Sequence, residues 1–163
     1  MMPTIVQVLD ALGVPYDVVD CDPTLADTAA FTEHYGFPLE ASANTIIVAS
    51  RRGPQRYGAA VVLATTRLDV NRTMKQLLGV GKASFATADE TRDLTGMEIG
   101  GVTAIGLPPT LPLFVDRRVM DREWIILGGG DRSSKLRITP QVFDRLDGVE
   151  IVEGLAHPIS AAG

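Results

Sequence analysis

The feature that most constrains the fold is a pair of apolar segments that follow each other with only a turn between them. Residues 45–49 and 57–64 are apolar runs typical of buried strands, and Arg51-Arg52-Gly53-Pro54 between them is typical of a turn. We therefore expect the second strand to return beside the first. Other predicted strands also follow each other directly, which favours a mixed sheet over a purely parallel one.

Helices and strands interleave along the rest of the chain. Asp69 is a good N-cap for a helix that Gly79 ends, and Thr87 with Glu90 has the spacing of a capping box. The predicted helices cover residues 4–12, 25–35 (capped by Thr24), 69–78, 87–95 and 139–146. The further predicted strands cover residues 16–20, 84–86, 113–115, 124–127, 136–138 and 149–152.

The size and composition of the chain fit one domain. It has 163 residues, of which 45% are hydrophobic and 21% charged, as is usual for a globular protein. We expect a single compact α/β domain over residues 1–155 and a flexible tail over residues 156–163.

Composition also bears on location and partners. The single cysteine, Cys21, cannot form an internal disulfide and is interpreted as a small buried hydrophobe, which fits a cytoplasmic protein. We find neither the roughly 20 apolar residues that span a bilayer nor the pattern of a signal peptide. A net charge of −5 argues against strong non-specific binding of nucleic acid. We therefore expect no membrane and no DNA among the partners.

Basic residues nevertheless cluster at three places. Such clusters are usually solvated faces, but a few arginines can also steer a brief encounter with an anionic partner. The clusters are Arg51, Arg52 and Arg56; Arg67, Arg72 and Lys75; and Arg117, Arg118 and Arg122.

Side chains that commonly carry catalysis are sparse. The two histidines, His34 and His157, have no metal-ligand spacing with other residues, and Cys21 has no nearby base that would activate it. We therefore expect no metal and no cofactor.

Two glycine-rich stretches remain, Gly100-Gly101-Val102-Thr103-Ala104-Ile105-Gly106 and Gly128-Gly129-Gly130-Asp131-Arg132. The first follows a predicted helix and the second lies between predicted strands, so neither has the context of a dinucleotide or phosphate loop. Two interpretations stay open: a plain turn, or a pocket wall whose backbone N–H groups approach a ligand. Composition and spacing alone indicate no reaction.

Taken together, several segments resemble the YbaK/prolyl-tRNA synthetase-associated family, whose free-standing members include Cys-tRNA-Pro deacylases. The resemblance runs from the first helix to Val152 and keeps the order and separations of the family's motifs. These are Ser42-Ala43-Asn44-Thr45-Ile46-Ile47-Val48, Leu63-Ala64-Thr65 through Leu68, Thr95-Gly96 leading into Gly100-Gly101-Val102-Thr103, and Gly128-Gly129-Gly130 leading to Ile138-Thr139-Pro140.

The resemblance implies a mixed, barrel-like sheet flanked by helices, with a pocket beside the glycine loop. It also implies a trans-acting deacylase that hydrolyses the ester of mischarged tRNA around a positioned water, without a metal or a covalent nucleophile. The implied partners are the acceptor end of aminoacyl-tRNA and an aminoacyl-tRNA synthetase. The implied catalytic residues are Asn44, Gly101 and Thr103, and the implied substrate-binding residues are Thr45, Gly100, Ala104, Gly129 and Gly130.

The sequence departs from the family pattern at two positions. Asn44 stands where the family usually has a lysine that can attract the terminal phosphate of the acceptor, and it lacks that charge and reach. Ala104 stands where a loop proline is usual. These departures leave two other hypotheses: a non-catalytic module that binds tRNA or an aminoacyl nucleoside, and a hydrolase of another small ester or thioester.

Overall fold

The structure is a computed structural model that describes residues 1–159. Its helices are α1 (Pro3–Leu12), α2 (Thr28–Tyr35), α3 (Lys75–Leu78), α4 (Ala88–Thr95) and α5 (Arg117–Met120). Its strands are β1 (Tyr16–Asp20), β2 (Ala43–Arg52), β3 (Tyr57–Leu63), β4 (Thr66–Leu68), β5 (Lys82–Phe85), β6 (Leu113–Asp116), β7 (Ile125–Gly128), β8 (Ser134–Ile138), β9 (Val149–Val152) and β10 (Ala156–Pro158). In this range no helix combines the length and the apolar character needed to cross a membrane.

The strands of the described range form three sheets. The largest has the order β5-β2-β3-β6-β9; its β5-β2 and β2-β3 pairs are antiparallel, and its β3-β6 and β6-β9 pairs are parallel. An antiparallel sheet of order β1-β8-β7 is joined to the start of β2 by a bridge between Ser42 and Ile126. Strands β10 and β4 form a separate pair. The predicted mixed α/β fold is confirmed, but the sheets remain open, so the expected closure towards a barrel is wrong.

Strand β3 explains why the central segments are apolar without alternation. Because successive side chains of a strand face opposite sides, Ala59 and Val61 pack in a core that includes α1, whereas Ala60 and Val62 pack in a second core that includes Leu78 of α3. Both faces of the strand are covered, so no position along it favours a polar residue.

The predicted capping box forms at α4 and also anchors an edge strand. The Thr87 hydroxyl accepts from the Glu90 N–H at 3.1 Å, and the Glu90 carboxylate accepts from the Thr87 N–H at 2.9 Å. Arg51 donates two hydrogen bonds to the same carboxylate, and these bonds, followed by the one from Thr87, lower the pKa of Glu90 to about 2. The Arg51 guanidinium also donates to the Ser84 hydroxyl and the Phe85 carbonyl, so it holds the end of β5 against α4.

Several segments differ from the sequence-based prediction. The helix expected over 69–78 is a π-helical turn over Val70–Met74 followed by α3, and the helix expected over 139–146 is a 3-10 helix over Pro140–Arg145. Neither α5 nor β4 was expected.

The helix expected over 25–35 begins at Thr28, because Pro23–Leu25 forms a separate 3-10 turn in which the Asp22 side chain accepts from the Thr24 N–H at 2.9 Å. Residues Ala156–Pro158 pair with β4 instead of starting the flexible tail expected from residue 156. Residues 160–163 of that tail lie outside the described residues.

Candidate active site

A cavity of about 320 Å³ opens between the start of α2, the first half of β2, the loop after α4 and strand β8. Residues from seven separate segments of the described chain line it, including Phe85 at the end of β5, Thr91 of α4 and Gly128 of β7. The polar side chains that line it are those of Asp27, Thr28, Asn44, Thr45, Thr91 and Lys135, and the backbone of Gly100 and Gly128 completes it beside apolar neighbours that include Phe85 and Val102.

Asn44 and Thr45 lie in this wall, as the resemblance implied. The Thr28 hydroxyl donates to Oδ1 of Asn44 at 2.7 Å, which holds the asparagine side chain against α2. The hydroxyl of Thr45 is buried and has no hydrogen-bond partner among residues 1–159. Buried hydroxyl groups are usually paired, so this one is an unsatisfied polar group beside the cavity.

The first glycine stretch divides between the cavity and the packing behind it. Gly100 lines the cavity, whereas Gly101 lies behind it. The Gly101 N–H donates to the Glu98 carbonyl at 2.9 Å, and its carbonyl accepts from the Gly130 N–H at 2.6 Å. A Cβ atom at Gly101 would lie 2.0 Å from the Asp131 carbonyl oxygen, so only glycine fits.

Thr103 and Ala104, implied as site residues, are buried in the protein interior and do not line the cavity. Thr103 is 0% exposed, and its N–H donates to the sulfur of Met97 at 3.4 Å. Ala104 is packed in the larger core. Their positions support the shape of the loop and give no direct contact with a molecule in the cavity.

The second glycine stretch divides in the same way. Gly128 lines the cavity, whereas Gly129 and Gly130 pack behind it. A Cβ atom at Gly129 would lie 2.3 Å from the Ser134 hydroxyl, and one at Gly130 would lie 2.6 Å from Ile5. We call Gly101, Thr103, Ala104, Gly129 and Gly130 together the packed layer.

Lys135 is one of the polar cavity residues that the sequence analysis missed, together with Asp27, Thr28 and Thr91. It lies on β8, is only 6% exposed and lines the cavity. Its ammonium group donates to the carbonyls of Ala26 and Gly100, each at 2.6 Å, and lies 5.6 Å from the centre of the Phe31 ring. It therefore links the residues just before α2 to the loop over residues 100–106, which we call the glycine loop.

The charge of Lys135 has no carboxylate within ion-pair distance in the described part of the chain. Asp27, the acidic residue in the wall, lies 3.5 Å from the guanidinium of Arg132 instead. Burial is the main cause that lowers the pKa of Lys135 from its usual 10.5; Cys21 and Asp27 act against it, and Arg132 adds to it. The cavity thus carries a partly desolvated positive charge.

No sequence signal separates Lys135 from a second basic residue on the same strand. Arg137 lies two positions further along, on the same face of β8, where it is exposed and its guanidinium lies 4.2 Å from the centre of the Trp124 ring. Only the packing of α2 and the glycine loop over one end of that face makes Lys135 a cavity residue. The prediction that Cys21 is a small buried hydrophobe is confirmed: it is 6% exposed and packs with Phe31.

Comparison with known proteins places the chain in a family. The model of the aminoacyl-tRNA editing domain matches residues 22–146, so the chain belongs to the aminoacyl-tRNA editing domain family. It is 26% identical to the hypothetical protein APE2540, with a TM-score of 0.83 over 94% of this chain and 99% of that chain. A candidate trans-editing enzyme for prolyl tRNA synthetase is 22% identical, with a TM-score of 0.76 over 94% and 97% of the two chains, and shares the fold. The resemblance to YbaK-like proteins is thereby confirmed.

Proposed function

We propose that this chain is a trans-acting deacylase that hydrolyses the ester of a mischarged aminoacyl-tRNA, with the aminoacyl end held in the cavity. The observation that carries the proposal is that Lys135, Asn44 and Gly100 converge on one cavity in a chain of the editing family. The shared fold of the candidate trans-editing enzyme supports action on tRNA charged elsewhere.

In this proposal Lys135 supplies the positive charge that the resemblance would expect at position 44. The two residues line the same cavity from different strands, β8 and β2. An ammonium group that is buried without a carboxylate favours an anionic ligand, because little water is left to stabilise its charge. We assign it the phosphate that precedes the terminal adenosine of the tRNA. Asn44 would hydrogen-bond the terminal ribose, and Thr45 beside it would complete this part of the wall.

The glycine loop would stabilise the transition state. The N–H groups of Gly100 and Val102, which both line the cavity, donate to no acceptor among residues 1–159. We assign them to the oxyanion that develops at the ester carbonyl, where one such donor typically contributes about 3 kcal/mol. Because the Gly100 carbonyl accepts from Lys135 at 2.6 Å, the lysine also fixes the orientation of this loop.

The reaction itself would use a water and the substrate's own ribose. Water adds to the ester carbonyl carbon while the neighbouring ribose hydroxyl accepts a proton from the water and passes its own proton on towards the ester oxygen of the ribose. The bond between that carbon and the ester oxygen of the ribose then breaks, and a proton passes to the departing oxygen. The products are the free amino acid and a tRNA with an intact 3′ end. No metal and no covalent enzyme intermediate takes part.

The experiment that tests the proposal uses tRNAs charged with radioactive cysteine, alanine, serine, threonine or proline. We expect the natural protein to release at least one of these amino acids faster than buffer does, and the fastest substrate to identify the physiological one. Release at the buffer rate for all five would contradict the proposed activity on this panel.

A non-catalytic binding module is the second candidate, and the cavity wall favours it in one respect. Among the described residues, Asp27 and Lys135 are the titratable side chains of the wall. Asp27 lies 3.5 Å from the Arg132 guanidinium, and the Lys135 ammonium group donates to two backbone carbonyls, so neither side chain is free to act as a general base. Binding of a non-hydrolysable aminoacyl nucleotide without release from any charged tRNA would establish this candidate. Hydrolysis of free aminoacyl esters with no dependence on the tRNA would instead indicate a hydrolase of other small esters.

A further inference from the structure

A larger groove adjoins the candidate site. It has a volume of about 990 Å³ and shares the side chain of Phe85 with the wall of the smaller cavity. Arg67, Arg72 and His157 also line it. A ligand whose end lies in the cavity could therefore continue past Phe85 into this groove without leaving the protein surface.

The groove is locally positive on an acidic chain. The guanidinium groups of Arg67 and Arg72 are exposed and have no carboxylate within 4.0 Å among residues 1–159. The one carboxylate in the groove, that of Asp69, accepts from the Arg72 backbone N–H and the Thr73 hydroxyl and lies 3.2 Å from the His157 ring nitrogen. The two arginines therefore remain available to an anion, although the chain as a whole carries −5.

Phe85 presents an aromatic ring to solvent on a fixed backbone. Its side chain is 56% exposed, on the edge strand of the five-stranded sheet. Its backbone pairs with Val48, and its carbonyl accepts from Arg51 at 3.1 Å. A phenylalanine whose ring is exposed while its backbone is held has the properties of a stacking platform for a base.

We propose that this groove binds the single-stranded 3′ end of the tRNA acceptor, immediately upstream of the terminal adenosine. Arg67 and Arg72 contact backbone phosphates, and one base stacks on Phe85. Cationic grooves with an exposed aromatic ring are typical of sites for single-stranded nucleic acid, whereas a duplex presents no free base face to the ring. This inference rests on the proposed function and specifies the part of the substrate outside the cavity.

The test measures binding of an uncharged RNA hairpin that ends in single-stranded ACCA and carries fluorescein on its loop. Fluorescence polarisation in a series of salt concentrations gives the affinity and its salt dependence. We expect Phe85→Leu to weaken binding roughly 5- to 100-fold, because it keeps apolar bulk but removes the stacking face, and Phe85→Tyr to bind like the natural protein.

The double variant Arg67→Gln/Arg72→Gln tests the phosphate contacts. Loss of two contacts to a single strand should reduce the slope of log K against log salt by about 1.4. The matched control, Arg117→Gln/Arg145→Gln, removes the same charge from two exposed arginines that line neither cavity, and we expect its slope to be unchanged.

Three results would overturn the inference. They are no binding of the hairpin by the natural protein, equal binding by Phe85→Leu, and equal binding of a blunt hairpin that lacks ACCA. The second of these, with RNA still bound, would place the RNA contact outside the groove. The hairpin carries no amino acid, so the two proposals are tested separately. If the groove variants bind the hairpin normally while the natural protein releases amino acid from charged tRNA, the groove is rejected and the proposed function stands. If the groove binds RNA as expected but no amino acid is released, only the deacylase is rejected.

Discussion

The cavity wall and the packed layer behind it contain neighbouring residues of the same two glycine-rich stretches, yet they differ in what they can contact. Gly100 and Gly128 face the cavity, whereas Gly101 and Gly130 face each other through a 2.6 Å hydrogen bond. A glycine-rich stretch thus indicates that its backbone lies in close contact with another group, either of the protein or of a ligand. In this protein one glycine of each stretch lines the cavity, although Gly128 also packs against the Val102 carbonyl. The others contact backbone, as Gly101 contacts Asp131, or side chains, as Gly130 contacts Ile5.

Mutations in the cavity wall and in the packed layer should therefore impair different properties of the protein. A change in the packed layer should cost stability first, because a new side chain there has no space. A change in the cavity wall should cost ligand binding or hydrolysis while the fold persists.

Gly101→Ala should give the largest effect. Its Cβ atom would meet the Asp131 carbonyl oxygen at 2.0 Å, so we expect the free energy of unfolding in urea to fall by about 3 kcal/mol. Gly81→Ala is the control, because its Cβ would meet only the flexible side chain of Arg52 at 3.2 Å. Equal, small losses in both variants would show that the two loops are not tightly packed.

Lys135→Met should chiefly reduce hydrolysis. We expect kcat/KM on the best charged tRNA to fall roughly 10- to 100-fold, as for a lost hydrogen bond to a charged group. The free energy of unfolding should change less than in Gly101→Ala, because removing a buried charge offsets part of the lost bonding to Ala26 and Gly100. Arg137→Met, on the same face of the strand but outside the cavity, should leave kcat/KM unchanged; a similar loss there would remove the special role of Lys135.

Asn44→Lys restores the residue usual in the family, and we expect it to reduce hydrolysis here. The new ammonium group would repel Lys135 within one cavity and weaken its hydrogen bond to the Gly100 carbonyl, and a loss of about 1 kcal/mol corresponds to a roughly fivefold lower kcat/KM. Asn44→Gln, which has no charge, controls for side-chain size. A gain of activity in Asn44→Lys would mean that Lys135 does not supply the charge of the site.

The pH dependence of ligand binding should reveal the protonation state of Lys135. Burial lowers the pKa of Lys135 from 10.5, so binding that needs its ammonium form should decline at a lower pH than an ordinary lysine would give. Lys135→Arg should move this decline to higher pH, because arginine stays charged. The free energy of unfolding should change in the opposite direction to binding. Burial disfavours the charged form of Lys135 in the folded protein, so the free energy of unfolding rises as pH passes from the folded pKa of Lys135 towards 10.5, its value in the unfolded chain. An identical alkaline decline in both proteins would exclude Lys135 as its source.

Local sequence signals predicted much of the fold. The strands Tyr16–Asp20 and Val149–Val152 and the capping box of α4 match their predictions because alternation and capping depend on residues close in the chain. The strands β4 and β10 were missed because each has three residues and exists only through pairing between distant parts of the chain, as between Arg67 and His157.

The candidate site was predicted only where a motif carries it. Asn44, Thr45 and Gly100 follow from the resemblance, and all three line the cavity. Lys135 and Asp27 do not, because their positions depend on how α2 and the glycine loop pack over β8. Thr103 shows the converse: a hydroxyl in a motif position is fully buried once the loop folds.

The most direct test of the central claim is calorimetric binding of a cytidylyl-adenosine dinucleotide whose terminal amino acid is joined by an amide, so that it cannot be hydrolysed. The natural protein, Lys135→Met and Thr103→Val are compared with the amino acid that gives the fastest release, or with alanine if none is released. We predict at least tenfold weaker binding by Lys135→Met and a change of less than about twofold in Thr103→Val. Normal binding by Lys135→Met together with lost binding by Thr103→Val would contradict this assignment of the cavity wall and the packed layer.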